Sequence, residues 1–208
     1  MKTLPHLIPI FPLPQVVLFP RMPLPLHIFE PRYRKMVADA LASHHTIGMT
    51  LLQPGWESDY EGRPSVYPVG CAGTIERSEP LADGRYNILL RGETRFRVRG
   101  EKGGEPYRLA EVEPLHYAPG DYAEIEAKRR AVLAAIGRSS EGPVSLVLQA
   151  ELPPDLFVNA LAQSLDLSPV EKQSLLDCDT IAARYGRLLE ILEFLLLERT
   201  RGGGGTVH

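Results

Sequence analysis

Apolar positions along this 208-residue chain follow two different periods, and the change falls near residue 117. Before it, short apolar runs are bounded by turn residues, and several alternate with polar positions. The segments "VVLF" (16–19), "LPLHIF" (24–29), "TIGMTLL" (46–52), "AGTIER" (72–77), "RYNILL" (85–90), "TRFRVRG" (94–100) and "YRLAEVE" (107–113) are predicted as strands. Asp83-Gly84 signals a hairpin between two of them, and Gly92-Glu93 is a weaker signal for the next turn. So many short strands point to a compact barrel or folded-over sheet. One helix interrupts them. Pro31 suits a first helical position, and Tyr33, Met36, Val37, Ala40 and Leu41 then recur at helical spacing.

After residue 117 the period is helical. Helices are predicted over 121–138, 153–165, 168–177 and about 180–200, with apolar residues such as Val132, Ile136, Phe157, Leu161, Leu188 and Leu192 on their inner faces. Ser168, Pro169 and Glu171 form the pattern of a capping box, a strong start signal. Helices so close in sequence pack as a small antiparallel bundle. The expected organisation is a β-domain over 1–117, a helical bundle over 118–200 and a disordered Gly-rich tail over 201–208.

The stretch "FPLPQVVLFPRMPLPLHIFEPRYRKMV" (11–37) combines six prolines with many large apolar residues. Proline breaks ladders and helix interiors. Most of these prolines fall at predicted boundaries: Pro12 and Pro14 before a strand, Pro20 and Pro23 between strands, Pro31 at a helix start. Only Pro25 lies inside a predicted strand, which implies an edge or a bulge there.

Composition narrows the class. Hydrophobic residues make up 44% and charged residues 24%, as in soluble globular proteins. The two cysteines, Cys71 and Cys178, lack metal-ligand spacing, and their low number fits a reducing compartment. No unbroken apolar leader opens the chain. The most apolar run, 188–197, contains Glu190 and Glu193 and is too short to span a bilayer. A cytoplasmic protein is expected. Net charge is −3, divided as +1 over residues 1–115 and −4 over 116–208, which excludes a globally basic nucleic-acid binder.

The motifs resemble a known family. "FPLPQVVLFPRMPLPLHIFEPRY" (11–33) resembles the start of the N-terminal domain of Lon proteases. "VGCAGTIERSEPLADGRYNILLRGETRFRV" (69–98), "YRLAEVEPL" (107–115) and "LAQSLDLSPVEKQSLLDCDTIAARYGRLLEIL" (161–192) resemble later parts of that domain, in the same order. The resemblance covers roughly residues 4–198. It implies an α+β fold, a PUA-like β-barrel with one helix followed by an α-helical bundle. It also implies a role in binding polypeptide substrates. The ATPase and protease domains of Lon have no counterpart in these residues, and there is no GxxxxGK[ST] phosphate loop. A non-catalytic protein without cofactor is therefore expected.

Candidate chemistry is sparse. His27 and Glu30 are too few for a metal site and read as a strand residue and a helix N-terminal acid. His44 and His45 are adjacent at a strand start and face opposite sides. No G-x-S-x-G elbow is present. Arg95, Arg97 and Arg99 alternate with Phe96 and Val98, so the arginines are expected on one strand face. With Arg91 they form a basic patch, either a phosphate contact or a charged strand protected from aggregation. Phe19, Met22 and Leu24 are candidates for an adaptable peptide-binding surface, because a Met side chain is flexible and polarisable. An unpaired edge beside Pro25 offers a second route, by strand addition. The expected partner is a polypeptide or protein. An RNA-binding PUA-like module and a structural or assembly domain are the alternatives.

Overall fold

The computed structural model describes residues 4–60, 62–103, 106–118, 120–138 and 151–202. The chain divides into two compact units, Met1–His116 and Tyr117–His208. The first contains strands β1 (Leu7–Leu13), β2 (Pro23–Ile28), β3 (Thr46–Leu51), β4 (Val69–Pro80), β5 (Tyr86–Lys102) and β6 (Arg108–Leu115), with helix α1 (Pro31–Leu41) between β2 and β3. The sheet order is β2-β5-β4-β3-β1-β6, and β6 also pairs with β5. That extra pairing closes five strands into a barrel and leaves β2 outside the ring, at an edge. Only β1 and β3 are parallel.

The first strand is Leu7–Leu13, earlier than expected, and it contains Pro9 and Pro12. Both prolines are tolerated because of how β1 is paired. Residues 7–10 pair with β6, and residues 10–13 pair with β3. Each proline thus lies where β1 has one neighbour, and its missing N–H can face the unpaired side. The predicted strand at 16–19 is irregular backbone instead, although Val17, Leu18 and Phe19 are buried.

A turn and bulge connect this segment to β2. The Met22 N–H donates to the Phe19 carbonyl at 3.1 Å, with Pro20 second in the turn and Arg21 third at φ 67°. A type II turn needs φ > 0 at that third position. The Arg21 N–H donates to the Gly92 carbonyl at 2.7 Å, and the Gly92 N–H donates to the Met22 carbonyl at 2.9 Å. Gly92 cannot carry a side chain here, since a Cβ would lie 2.1 Å from the Phe19 carbonyl oxygen.

Gly92-Glu93 does not turn the chain. β5 runs through it as a single strand, with a bulge: Gly92 pairs with Gly73 and Thr94 with Ala72, which leaves Glu93 extra. One extra residue reverses the alternation beyond it. Phe96 therefore enters the barrel core with Ile8, Ile10, Ala72, Ala110 and Val112. Arg95 shares the opposite face with Leu90 and Gly92, the face covered by the irregular segment. Asp83-Gly84 does form the expected hairpin turn, with Gly84 at φ 79°.

The second unit contains α2 (Tyr122–Arg138), α3 (Pro154–Ser164), α4 (Pro169–Asp177) and α5 (Ile181–Gly202). α5 packs against the other three. Val132, Ile136, Phe157, Leu161, Leu175, Tyr185 and Leu188 form its buried apolar centre. The capping box at Ser168 and Glu171 is present in full. Arg184 is fully buried. Its guanidinium donates to the carbonyls of Leu175 (2.7 Å) and Leu176 (3.3 Å) and to Asn159 Oδ1. These bonds tie α5 to the C-terminal end of α4 and to α3. Of the expected tail, Arg201 and Gly202 continue α5, and 203–208 lie outside the described residues.

Candidate functional site

Phe19, Met22 and Leu24 are 0%, 7% and 9% exposed. The register explains why. Leu24 lies opposite Leu90 on β5, on the face of the sheet beyond the barrel interior. Met22 precedes it by two and shares that face. The irregular segment folds over the same face, with Leu18 and Phe19 close to Gly73 and Gly92. The three side chains thus belong to a second apolar layer and form no exposed surface.

Strand addition at β2 is also disfavoured by geometry. Gly92 bonds Met22, so the even-numbered residues of β2 face β5 across the ladder. Pro23, Pro25 and His27 direct their backbone outward, and the two prolines have no N–H to offer. His27 keeps the one outward donor of this strand, which leaves the edge protected.

The basic patch does not stay together. Arg95 is 1% exposed. Arg91 is paired with Glu76 at 2.5 Å, and Arg99 with Glu113. Arg97 is half-buried. The expectation that the arginines share an exposed face is corrected accordingly. His27 and Glu30 are separate as well: the His27 ring meets Asn87 and Arg85, and Glu30 turns elsewhere. Among the described residues, no group of three or more His, Cys, Asp or Glu side chains is arranged to hold a metal ion.

Glu30 leads to the site. It precedes α1 at the N-cap position but makes no side-chain cap bond. One carboxylate oxygen accepts from Arg32 Nε at 2.9 Å, and the other accepts from the Tyr60 hydroxyl at 2.8 Å. The Arg32 guanidinium sits 4.7 Å from the Tyr33 ring centre and 5.1 Å from that of Tyr60, within cation–π range. Arg32, Tyr33 and Tyr60 wall a cleft of about 240 Å³ in the β-unit. Pro12, Leu52, Pro64, Pro106 and Tyr107 supply further apolar wall, and Arg63 and Arg108 add charge.

The cleft is braced on each side. Arg108 forks onto both Glu101 oxygens and donates to the Pro64 carbonyl at 2.8 Å. The Tyr107 hydroxyl donates to Asp39, which also accepts from Lys35, and these bonds hold the Asp39 carboxyl below its usual range. Tyr33 stacks against Phe11 with ring centres 4.3 Å apart, and burial pushes its phenol up to about 12. Trp56, the one tryptophan in the chain, meets the Tyr60 ring edge-on at 5.6 Å.

Helical spacing marked Tyr33 as an inner-face residue of α1, and no motif singled out Arg32, Tyr60, Arg63, Tyr107 or Arg108. With Tyr33, these cleft residues come from three separate stretches, 32–33, 60–63 and 107–108, and no local spacing joins them. The one available signal was a proline near each wall, at 12, 64 and 106.

A small closed barrel followed by a separate helical unit places the chain in the mixed α+β class. Residues 7–193 match the model of the ATP-dependent protease La (LON) substrate-binding domain, and the chain belongs to that family. Among curated relatives, Lon protease 2 of Syntrophobacter fumaroxidans is 32% identical over 180 residues, covering 84% of this chain and 22% of that protein. Lon protease of Roseiflexus castenholzii is 29% identical over 198 residues, covering 91% and 24%. The chain thus spans about a quarter of the length of the relatives it matches. A Lon N-terminal domain protein from Xanthomonas campestris superposes with a TM-score of 0.60 at 25% identity, covering 88% of this chain and 97% of the other. The N-terminal domain of Mycobacterium avium complex Lon protease gives 0.70 at 16% identity, covering 90% and 98%, a likeness of fold.

Proposed function

We propose that this protein binds polypeptide without catalysis, and that the cleft beside Glu30 and Arg32 is where it does so. The observation that carries this reading is the cleft's make-up: rigid aromatic and proline walls with a few fixed polar groups. Such walls take apolar side chains at low entropic cost, and tyrosines and arginines are the residues that dominate protein recognition sites. The family's substrate-binding name supports the same reading. Affinity for one segment should be modest, because an unfolded chain must be ordered as it binds.

RNA binding has less support. Phosphate contacts need unpaired cations, and Arg91 and Arg99 are already paired while Arg95 is buried. Among the described residues no helix is long and apolar enough to cross a membrane. Cys71 and Cys178 are free thiols, which suits a reducing compartment such as the cytoplasm.

The test is titration of a fluorescein-labelled, chemically unfolded protein with the purified chain, followed by anisotropy, with and without nuclease. Saturable binding that survives nuclease and falls on Tyr60→Ala supports the proposal. Binding that nuclease abolishes would transfer the function to RNA, and no binding to either would leave the assembly reading. Peptidase or ATPase activity that tracks the monomer through gel filtration would overturn the non-catalytic part.

A further inference from the structure

We infer that the cleft reads the free C-terminal carboxylate of a polypeptide whose last residue is apolar or aromatic. This rests on the polypeptide-binding reading above and names the part of the polypeptide that the site takes.

Arg32, Arg63 and Arg108 line the cleft. Arg32 is matched by Glu30, and Arg108 by Glu101. Arg63 is exposed, and it makes no ion pair or hydrogen bond among the described residues. Among the described residues, one guanidinium of the cleft therefore has no carboxylate paired with it. A single carboxylate neutralises it, and its two oxygens fit the guanidinium fork. A phosphate carries nearly twice that charge, and among the described residues the cleft has no second unpaired cation to meet it.

The second observation is Tyr33. It is 4% exposed, it lines the cleft, and its hydroxyl forms no hydrogen bond among the described residues. The neighbouring hydroxyls of Tyr60 and Tyr107 are committed to Glu30 and Asp39. Of the three cleft tyrosines it is the one whose hydroxyl a ligand acceptor can take without breaking a bond within the protein. Because burial raises its pKa, Tyr33 stays protonated and remains a donor. A carboxylate offers acceptors and no donor, so it suits both Arg63 and Tyr33.

The third observation is the wall. Pro12, Leu52, Pro64 and Pro106 surround these polar groups with apolar surface. About 240 Å³ is below the range of drug-sized pockets and accommodates one large side chain with its terminal carboxylate. An internal peptide segment can offer a carbonyl to Tyr33 but no anion at its backbone, so it would leave the charge of Arg63 unmatched.

The experiment compares three probes: a short neutral peptide ending in Leu-Phe with a free acid, its C-terminal amide, and a labelled unfolded protein. Trp56 fluorescence gives the readout, because Trp56 packs on the cleft wall through Tyr60, and calorimetry confirms the affinities. The acid should bind about tenfold or more tightly than the amide. Arg63→Gln should bring acid binding down to the amide level and leave the amide unchanged, and Arg63→Lys should restore part of the loss. Arg63 is exposed, so these variants should fold as the parent does. Equal affinity for acid and amide overturns the inference, as does an equal effect of Arg63→Gln on both. If the unfolded protein still binds in that case, polypeptide binding stands and only the terminal specificity fails. If no probe binds, both readings fail. Displacement of the acid peptide by single-stranded RNA, with the amide showing the same competition, would also overturn it.

Discussion

Met22→Asp puts a carboxyl into the apolar layer formed by Leu24, Leu90 and the segment above them. Met22 is 7% exposed, so little water reaches it. Two costs add. Losing the buried methionine forfeits about 2 kcal/mol of apolar burial. The carboxyl enters a layer that water barely reaches and takes up a proton there. Protonating a group of unfolded pKa near 3.9 costs roughly 4 kcal/mol at pH 7, and roughly 1.5 kcal/mol at pH 5. The expected loss at neutral pH is about 6 kcal/mol, comparable with the whole stability of a small domain. The pH dependence has a definite sign. The folded-state pKa is raised, so the penalty is absent below the unfolded pKa and grows as pH rises toward the folded one. Met22→Leu should cost less than about 1.5 kcal/mol. Urea unfolding followed by Trp56 fluorescence reads the β-unit, because that unit holds the one tryptophan. A Met22→Asp protein within about 0.5 kcal/mol of the parent at neutral pH, with polypeptide binding weakened, would refute the reasoning. Met22 would then be a binding residue in an open segment.

Arg184→Met should cost the helical unit about 3–5 kcal/mol, since Asn159 and two carbonyls of α4 would be left buried without a donor; urea unfolding followed in the helical circular dichroism band checks it, and adding Asn159→Leu should recover part of the loss. Tyr33 has its folded pKa raised to about 12 from 10.0, so its contribution to stability is full below 10.0 and is lost as pH rises toward 12. Tyr33→Phe should flatten that alkaline decline in thermal melting, and an unchanged decline would count against the assignment. Limited proteolysis should cut first within 116–121, where the two units meet in sequence, and a first cut inside 72–113 would contradict a boundary there.

Local signals identified much of the architecture. The helix starts at Pro31 and Ser168 were legible because capping and proline preferences act within one turn of chain. The Asp83-Gly84 hairpin was legible for the same reason, since its left-handed residue sits in the turn itself. The strand at 16–19 was not, because apolar content does not separate a strand from a buried irregular segment. β1 was hidden by Pro9 and Pro12, whose acceptability depends on which side of each residue has a neighbouring strand.

The sequence by itself determined the class of fold, the change from β-rich to helical chain, and the family resemblance, all of which rest on periodicity and short motifs. Only the tertiary structure decided which residues face the solvent. Arg95 is buried although its spacing matches that of Arg97 and Arg99, because alternation fixes which face a residue takes and not what covers that face. The folded segment over β2 and β5 likewise turns Phe19, Met22 and Leu24 into core. The cleft is the same kind of outcome. Arg32, the stretch 60–63 and Arg108 are distant in sequence, and the fold of the β-unit is what brings them together, because strand pairing and burial act between segments that no local pattern connects.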